Sequence, residues 1–141
     1  MDLRRSFFRT LVYCWAGPYT VTGLLVGLLL GGRVRWVAGV FEIHGPAVAW
    51  VLQRLPVSAA AITVGHTVLG RTLEDLDGTR SHERVHVRQF ERWGLFMGPA
   101  YVGASCYQAL RGRNFYRDNP FEIEAFAHDQ RFPSRRTADR P

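Results

Sequence analysis

The sequence predicts an α+β chain in three parts: an N-terminal membrane helix over residues 1–32, a small mixed domain over 33–130, and a disordered basic tail over 131–141. Three observations carry this. Between Arg9 and Arg33 lie 23 consecutive uncharged residues, TLVYCWAGPYTVTGLLVGLLLGG. Two stretches, 32–45 and 60–71, are rich in β-branched and aromatic residues. Three later segments carry helical periodicity, helix length or helix-start signals.

A run of about 20 apolar residues is enough to cross a bilayer, and Arg4, Arg5 and Arg9 ahead of it favour a cytoplasmic N-terminus. No small-x-small cleavage site follows the run, which argues against a cleaved signal peptide. GRVRWVAGVFEIHG (32–45) reads as a strand or hairpin closing on Gly45-Pro46. AVAWVLQRL (47–55) reads as a short helix ended by Pro56. AAITVGHTVLGR (60–71) reads as one half-buried strand, with Ile62, Val64, His66 and Val68 on one face and Thr63, Thr67 and Leu69 on the other. TLEDLDGTR (72–80) reads as a polar turn, with Thr79 or Ser81 as N-cap of a helix over 81–93. The 18 uncharged residues 93–110 follow a break at Gly94 and are just long enough to span. RGRNFYRDN (111–119) is a loop, and PFEIEAFAHD (120–129) is a helix capped by Asn119 with Pro120 at its first position.

At 141 residues the chain has room for one core. Its net charge is +6, and all 18 of its Lys and Arg positions are Arg. An arginine-only basic set points to a GC-rich bacterial genome. The arginines are scattered and several flank apolar runs, as topological markers do, so no nucleic-acid partner is expected. Cys14 and Cys106 lie far apart in apolar surroundings and read as small buried hydrophobes.

The chemistry sits in HERVH (82–86). His82 and His86 at i and i+4 place two imidazoles on one helix face, where both can reach a single Zn²⁺ at about 2.0–2.1 Å. Glu83 is rotated about 100° from His82, so it is placed to act as a general base rather than a ligand. The stripe Arg84, Arg88 and Arg92 lies about 200° away and reads as a solvated or headgroup-facing side. A third ligand is needed, and Glu122 and Glu124 open the next acidic helix. Asn119-Pro-Phe-Glu122 also fits a capping box, which would engage Glu122 structurally and leave Glu124 for the metal. The spacing of i and i+2 excludes both facing one ion.

Taken together, HERVH, QFERWG and YRDNPFEIEA resemble small bacterial membrane-associated proteins with a His-Glu-x-x-His helix and a downstream Asn-Pro-Phe-Glu helix. More distantly they are similar to gluzincin metallopeptidases, including the membrane CAAX-protease type. The resemblance covers residues 60–129. It implies a minimal zincin-like domain and zinc-dependent peptide hydrolysis at the bacterial inner membrane. It also implies a peptide substrate paired on an edge strand near AITVGHTVLGR, and Glu122 of Glu-x-x-Ala125 as third ligand. The position four residues on, acidic in many gluzincins, is Phe126. His66, Tyr101, Tyr107, Tyr116 and Gln89 are further candidates near the chemistry. The alternative is a non-enzymatic membrane protein with a structural or vestigial zinc site.

Overall fold

A computed structural model describes residues 3–131. The elements are α1 (Leu3–Leu29), β1 (Arg33–Val37), β2 (Val40–His44), α2 (Pro46–Leu52), β3 (Ala61–Val64), β4 (Thr67–Gly70), α3 (Leu73–Trp93), a 3-10 turn (Gly94–Phe96), α4 (Met97–Leu110) and α5 (Pro120–Arg131). The α+β class is thus observed. The expected disorder of the tail concerns residues that, apart from Arg131 at the end of α5, lie outside the described ones.

The four strands form one sheet in the order β1-β2-β4-β3, with β2 and β4 parallel and the outer pairs antiparallel. β1 and β2 close on Ala38-Gly39, both at positive φ, the requirement of a type I′ hairpin turn. The 60–71 stretch is a second hairpin and not one strand, because Gly65 at φ +66° lets the chain reverse over Gly65-His66. Gly-X is a tight-turn signature that simple alternation hides. The reversal re-sorts the faces: Ile62 pairs with Leu69, and Thr63 with Val68.

The sheet is the middle of three layers. On one side Ile43 and Leu69 join Val48 and Leu52 of α2 and Leu24 of α1. On the other, Val40, Ala61 and Val68 meet Leu76 and Val87 of α3. A third cluster, Ala16, Phe90 and Met97, ties α1 to the end of α3 and the start of α4. The 20-residue segment Thr10–Leu29 is long and apolar enough to cross a membrane. Its inner stripe nevertheless packs on the sheet, closely enough that a Cβ at Gly27 would sit 2.6 Å from Ile43 Cδ1. The second uncharged run divides at Gly94, leaving α4 with 14 residues. At 1.5 Å per residue that is about 21 Å, short of the ~30 Å hydrocarbon core.

Gly94 is the joint. It ends α3 at φ +52°, and a Cβ there would lie 1.9 Å from the Trp15 indole nitrogen. Strain and clash act together, so Gly94→Ala should lose roughly 2–4 kcal/mol of unfolding free energy. Denaturant unfolding in detergent measures this, and a loss below about 0.5 kcal/mol would refute the packing at this joint.

α3 begins eight residues before the expected start. Thr72, not Thr79 or Ser81, is its N-cap, accepting from Asp75 N at 3.0 Å. TLEDLDGTR is therefore the first two turns of the helix. Polarity there reflects a helix end facing water and not a loop, while Leu76 is buried on the sheet. The arginine stripe is also divided. Arg84 donates to Ala38 O and Val37 O at the first hairpin, and burial lowers its pKa. Arg88 is exposed, and Arg92 approaches Glu124 at 3.5 Å. Both cysteines are exposed, against expectation. The buried stripe of α1 runs through Ala16, Gly23 and Gly27. Cys14, two residues before Ala16, is turned about 200° away from it.

Candidate metal centre

α3 and α5 bring His82, His86 and Glu122 together. The two Nε2 atoms are 3.2 Å apart, His82 Nε2 lies 3.3 Å from Glu122 Oε2, and His86 Nε2 lies 3.4 Å from Glu122 Oε1. Ligand atoms around one tetrahedral zinc at about 2.05 Å are separated by roughly 3.3 Å. The two imidazole nitrogens already stand at that separation, and each lies within 3.4 Å of one Glu122 oxygen, so the three side chains surround a space that one ion could fill.

Hydrogen bonds behind the rings fix which atoms face inward. Gln89 Nε2 donates to Phe121 O (3.0 Å) and Glu124 Oε2 (2.9 Å), so its Oε1 must accept, and His86 Nδ1 at 2.9 Å carries the proton. Asp129 does the same for His82, accepting from Nδ1 at 2.9 Å while it also accepts from Ser81 Oγ at 2.6 Å. Both Nε2 atoms are left as acceptors facing each other. That contact is repulsive unless a proton or a cation sits between them. Glu122 Oε2, buried beside them, has no hydrogen-bond partner. Two imidazole lone pairs and an unpartnered carboxylate oxygen converging in a buried site fit a divalent metal.

The alternatives left open in the sequence separate here. Asn119 Oδ1 caps α5 by accepting from Phe121 N at 3.0 Å, but Glu122 does not turn back to complete a capping box. It faces the imidazoles and accepts from Tyr101 Oη at 2.7 Å. Glu124 is exposed on another side, held by Gln89 and Arg92. Phe126 packs its ring on His82 at 4.9 Å. Asp129, seven residues after Glu122 and so two turns along the same face, supplies the orienting carboxylate. The Asp129 role was missed in the sequence; the i, i+7 spacing from Glu122 was the signal.

Glu83 is buried beside the group, its carboxylate accepting from Thr63 Oγ1 at 2.7 Å. Burial raises its pKa, partly opposed by the two histidines and the Thr63 bond. Such a shift suits a base that must take a proton near neutrality. Tyr116 lines the same space, its hydroxyl pKa raised by burial and by the Glu122 charge. Tyr107 is exposed and accepts from Arg111 instead. His66 is remote, in the second hairpin turn, stacked on Tyr13 and 3.0 Å from Glu91.

The uncovered side of the triangle opens on a groove in two halves that share His82, Glu83, Phe115 and Tyr116. One half, about 450 Å³, is mainly apolar and walled by Met97, Tyr101 and Val102. The other, about 580 Å³, is more polar and reaches Arg117 and Asp129. β3 forms one bank. Val64 pairs with Thr67 across the turn, and Arg71 N donates to Ala60 O at 3.0 Å. By alternation, Ala61 and Thr63 aim their backbone polar groups away from β4, as an edge strand does.

The electrostatics predict a pH dependence. Burial opposes the charged form of His86, but Glu122 and Glu83 outweigh it and hold the pKa up at about 9. Burial likewise opposes ionisation of Glu122, and the two histidines overcome it, keeping the carboxylate well below the usual range. A metal must displace the imidazole proton, so its apparent affinity should rise about tenfold per pH unit for each proton released and level off above pH 9. In the metal-free protein the His86 contribution to stability is complete below the ordinary value of 6.5 and lost as pH rises through about 9. Titration calorimetry with zinc between these limits measures the slope; an affinity independent of pH would contradict it. No family model matches this chain, and neither a curated protein nor a solved structure does.

Proposed function

We propose that this protein is a membrane-bound, zinc-dependent metallopeptidase of the bacterial plasma membrane, with Glu83 as general base for the water that attacks the peptide bond. The observation that carries this reading is the convergence of His82, His86 and Glu122, their ligand atoms within 4.8 Å of one another, with one side open to a groove. Two imidazoles and a carboxylate are a donor set used by catalytic zinc sites. When bound, zinc supplies Lewis acidity, and water at such an ion has a pKa near 7. Glu83, raised by burial and steadied by Thr63, accepts the water's proton and can return it to the leaving amine. Tyr116, lining the groove beside Glu122, can donate to the developing oxyanion. The outward backbone of Ala61 and Thr63 can pair an extended substrate across the groove.

A structural zinc site is usually closed by four protein ligands. Among the described residues only three ligand side chains converge, and this favours the catalytic reading over a structural or vestigial one. Protein expressed with ample zinc and purified in detergent should carry about one equivalent of metal and cleave members of a broad peptide library. A chelator should abolish cleavage and zinc should restore it. Zinc-loaded protein that cleaves nothing in such a library would favour the structural site.

A further inference from the structure

The length and composition of α1 would let it cross a bilayer, but its surroundings argue for a different placement. The sheet and its turns lie along the whole candidate span. Tyr13 Oη donates to Gly39 O at 3.0 Å, Thr20 Oγ1 accepts from His66 N at 2.9 Å, and Gly27 abuts Ile43. A helix crossing with these neighbours would carry them into hydrocarbon. With them would go the outer edge of β1, the buried Glu42 with its partners Arg35 and Arg80, and the His66–Glu91 pair. Open sheet edges are not tolerated in lipid, and charges there cost several kcal/mol.

The outer side of α1 is different. Leu11, Trp15, Val21, Leu25 and Leu29 are exposed, with Leu29 at 85%. Trp15 meets Phe96 with ring centroids 6.1 Å apart, so this surface continues onto the 3-10 turn and α4. There Leu95, Phe96, Val102, Tyr107 and Leu110 are exposed too. Val102 and Cys106 belong both to this face and to the apolar half of the groove. Contiguous exposed apolar surface of this extent marks an interaction site.

We propose that the protein is monotopic: α1 lies along one leaflet and not across the bilayer, and the outer faces of α1 and α4 are immersed in its acyl layer. The occupant is lipid because the face is made of long apolar side chains, Trp15 among them, and carries no acidic residue between Thr10 and Leu29. The net charge of +6 suits an anionic headgroup layer. The mouth of the apolar half-groove then opens at the lipid surface. If the peptidase reading holds, its substrate enters as an apolar segment from that leaflet; the placement itself does not depend on catalysis.

Two measurements on the full chain test this, and neither uses activity. With both native cysteines changed to Ser, Asp2→Cys and Glu74→Cys should react with a membrane-impermeant maleimide from the same side of sealed membranes. A crossing helix puts them on opposite sides, and that result overturns the proposal. In phosphatidylglycerol vesicles, a fluorophore on native Cys14 or Cys106 should be quenched several-fold more by nitroxide on lipid chains than one on Glu74→Cys. Quenching by aqueous iodide alone, or a Cys14 to Cys106 crosslink between two copies without lipid, would assign the face to water or to self-association and overturn it. Zinc content, measured on the same samples, reports separately on the peptidase reading.

Discussion

Glu83→Gln should lower peptide hydrolysis by about 10²–10⁴-fold while zinc content and fold stay near wild type, the range general-base catalysis contributes. The substitution keeps the shape of the side chain, and an amide can still accept from Thr63 Oγ1. It cannot take a proton from water. Burial raises the Glu83 pKa, and protonation removes the base, so wild-type activity should also fall as the pH is lowered. The outcome is read from kcat on a cleaved library member beside metal analysis of the same preparation. Loss of zinc in the variant would make Glu83 a ligand or a folding residue instead. Unchanged hydrolysis would remove it from the chemistry.

The second large effect is loss of the metal. His82→Ala, His86→Ala and Glu122→Ala should each drop zinc from about one equivalent to near background, since a three-ligand site rarely survives on two. The residues behind the ligands should act more weakly. Asp129→Asn, which turns an acceptor-only carboxylate beside His82 Nδ1 into a mixed group, should weaken zinc binding about 10–100-fold. Glu124→Gln should leave it within a few-fold, because Glu124 is exposed and faces Gln89 and Arg92. Competition with a chromophoric chelator ranks the five. A ranking in which Glu124→Gln loses zinc and Glu122→Ala keeps it would reverse the ligand assignment.

The sequence by itself determined the parts governed by local physics. The i, i+4 histidines had to share a helix face. Asn119-Pro120 had to open a helix, Gly94 had to break one, and the uncharged run had to seek an apolar environment. Tertiary structure decided what depends on the arrangement of distant segments. Glu122 served a capping box or the imidazoles equally well in sequence, and the docking of α5 on α3 chose the imidazoles. Asp129 could replace the residue expected at Phe126 because two helical turns return a side chain to the same face, a relation visible only once the partner helix is in place. The hairpin at Gly65-His66 was hidden because its arms together mimic one alternating strand. The arginine at 84 left the solvated face because a hairpin turn, remote in sequence, presented carbonyls to it. The apolar helix α1 turned out to cover a sheet on one side. Composition counts apolar residues but not which neighbours they meet, and a helix buried on one face and bare on the other has the same composition as one that crosses lipid.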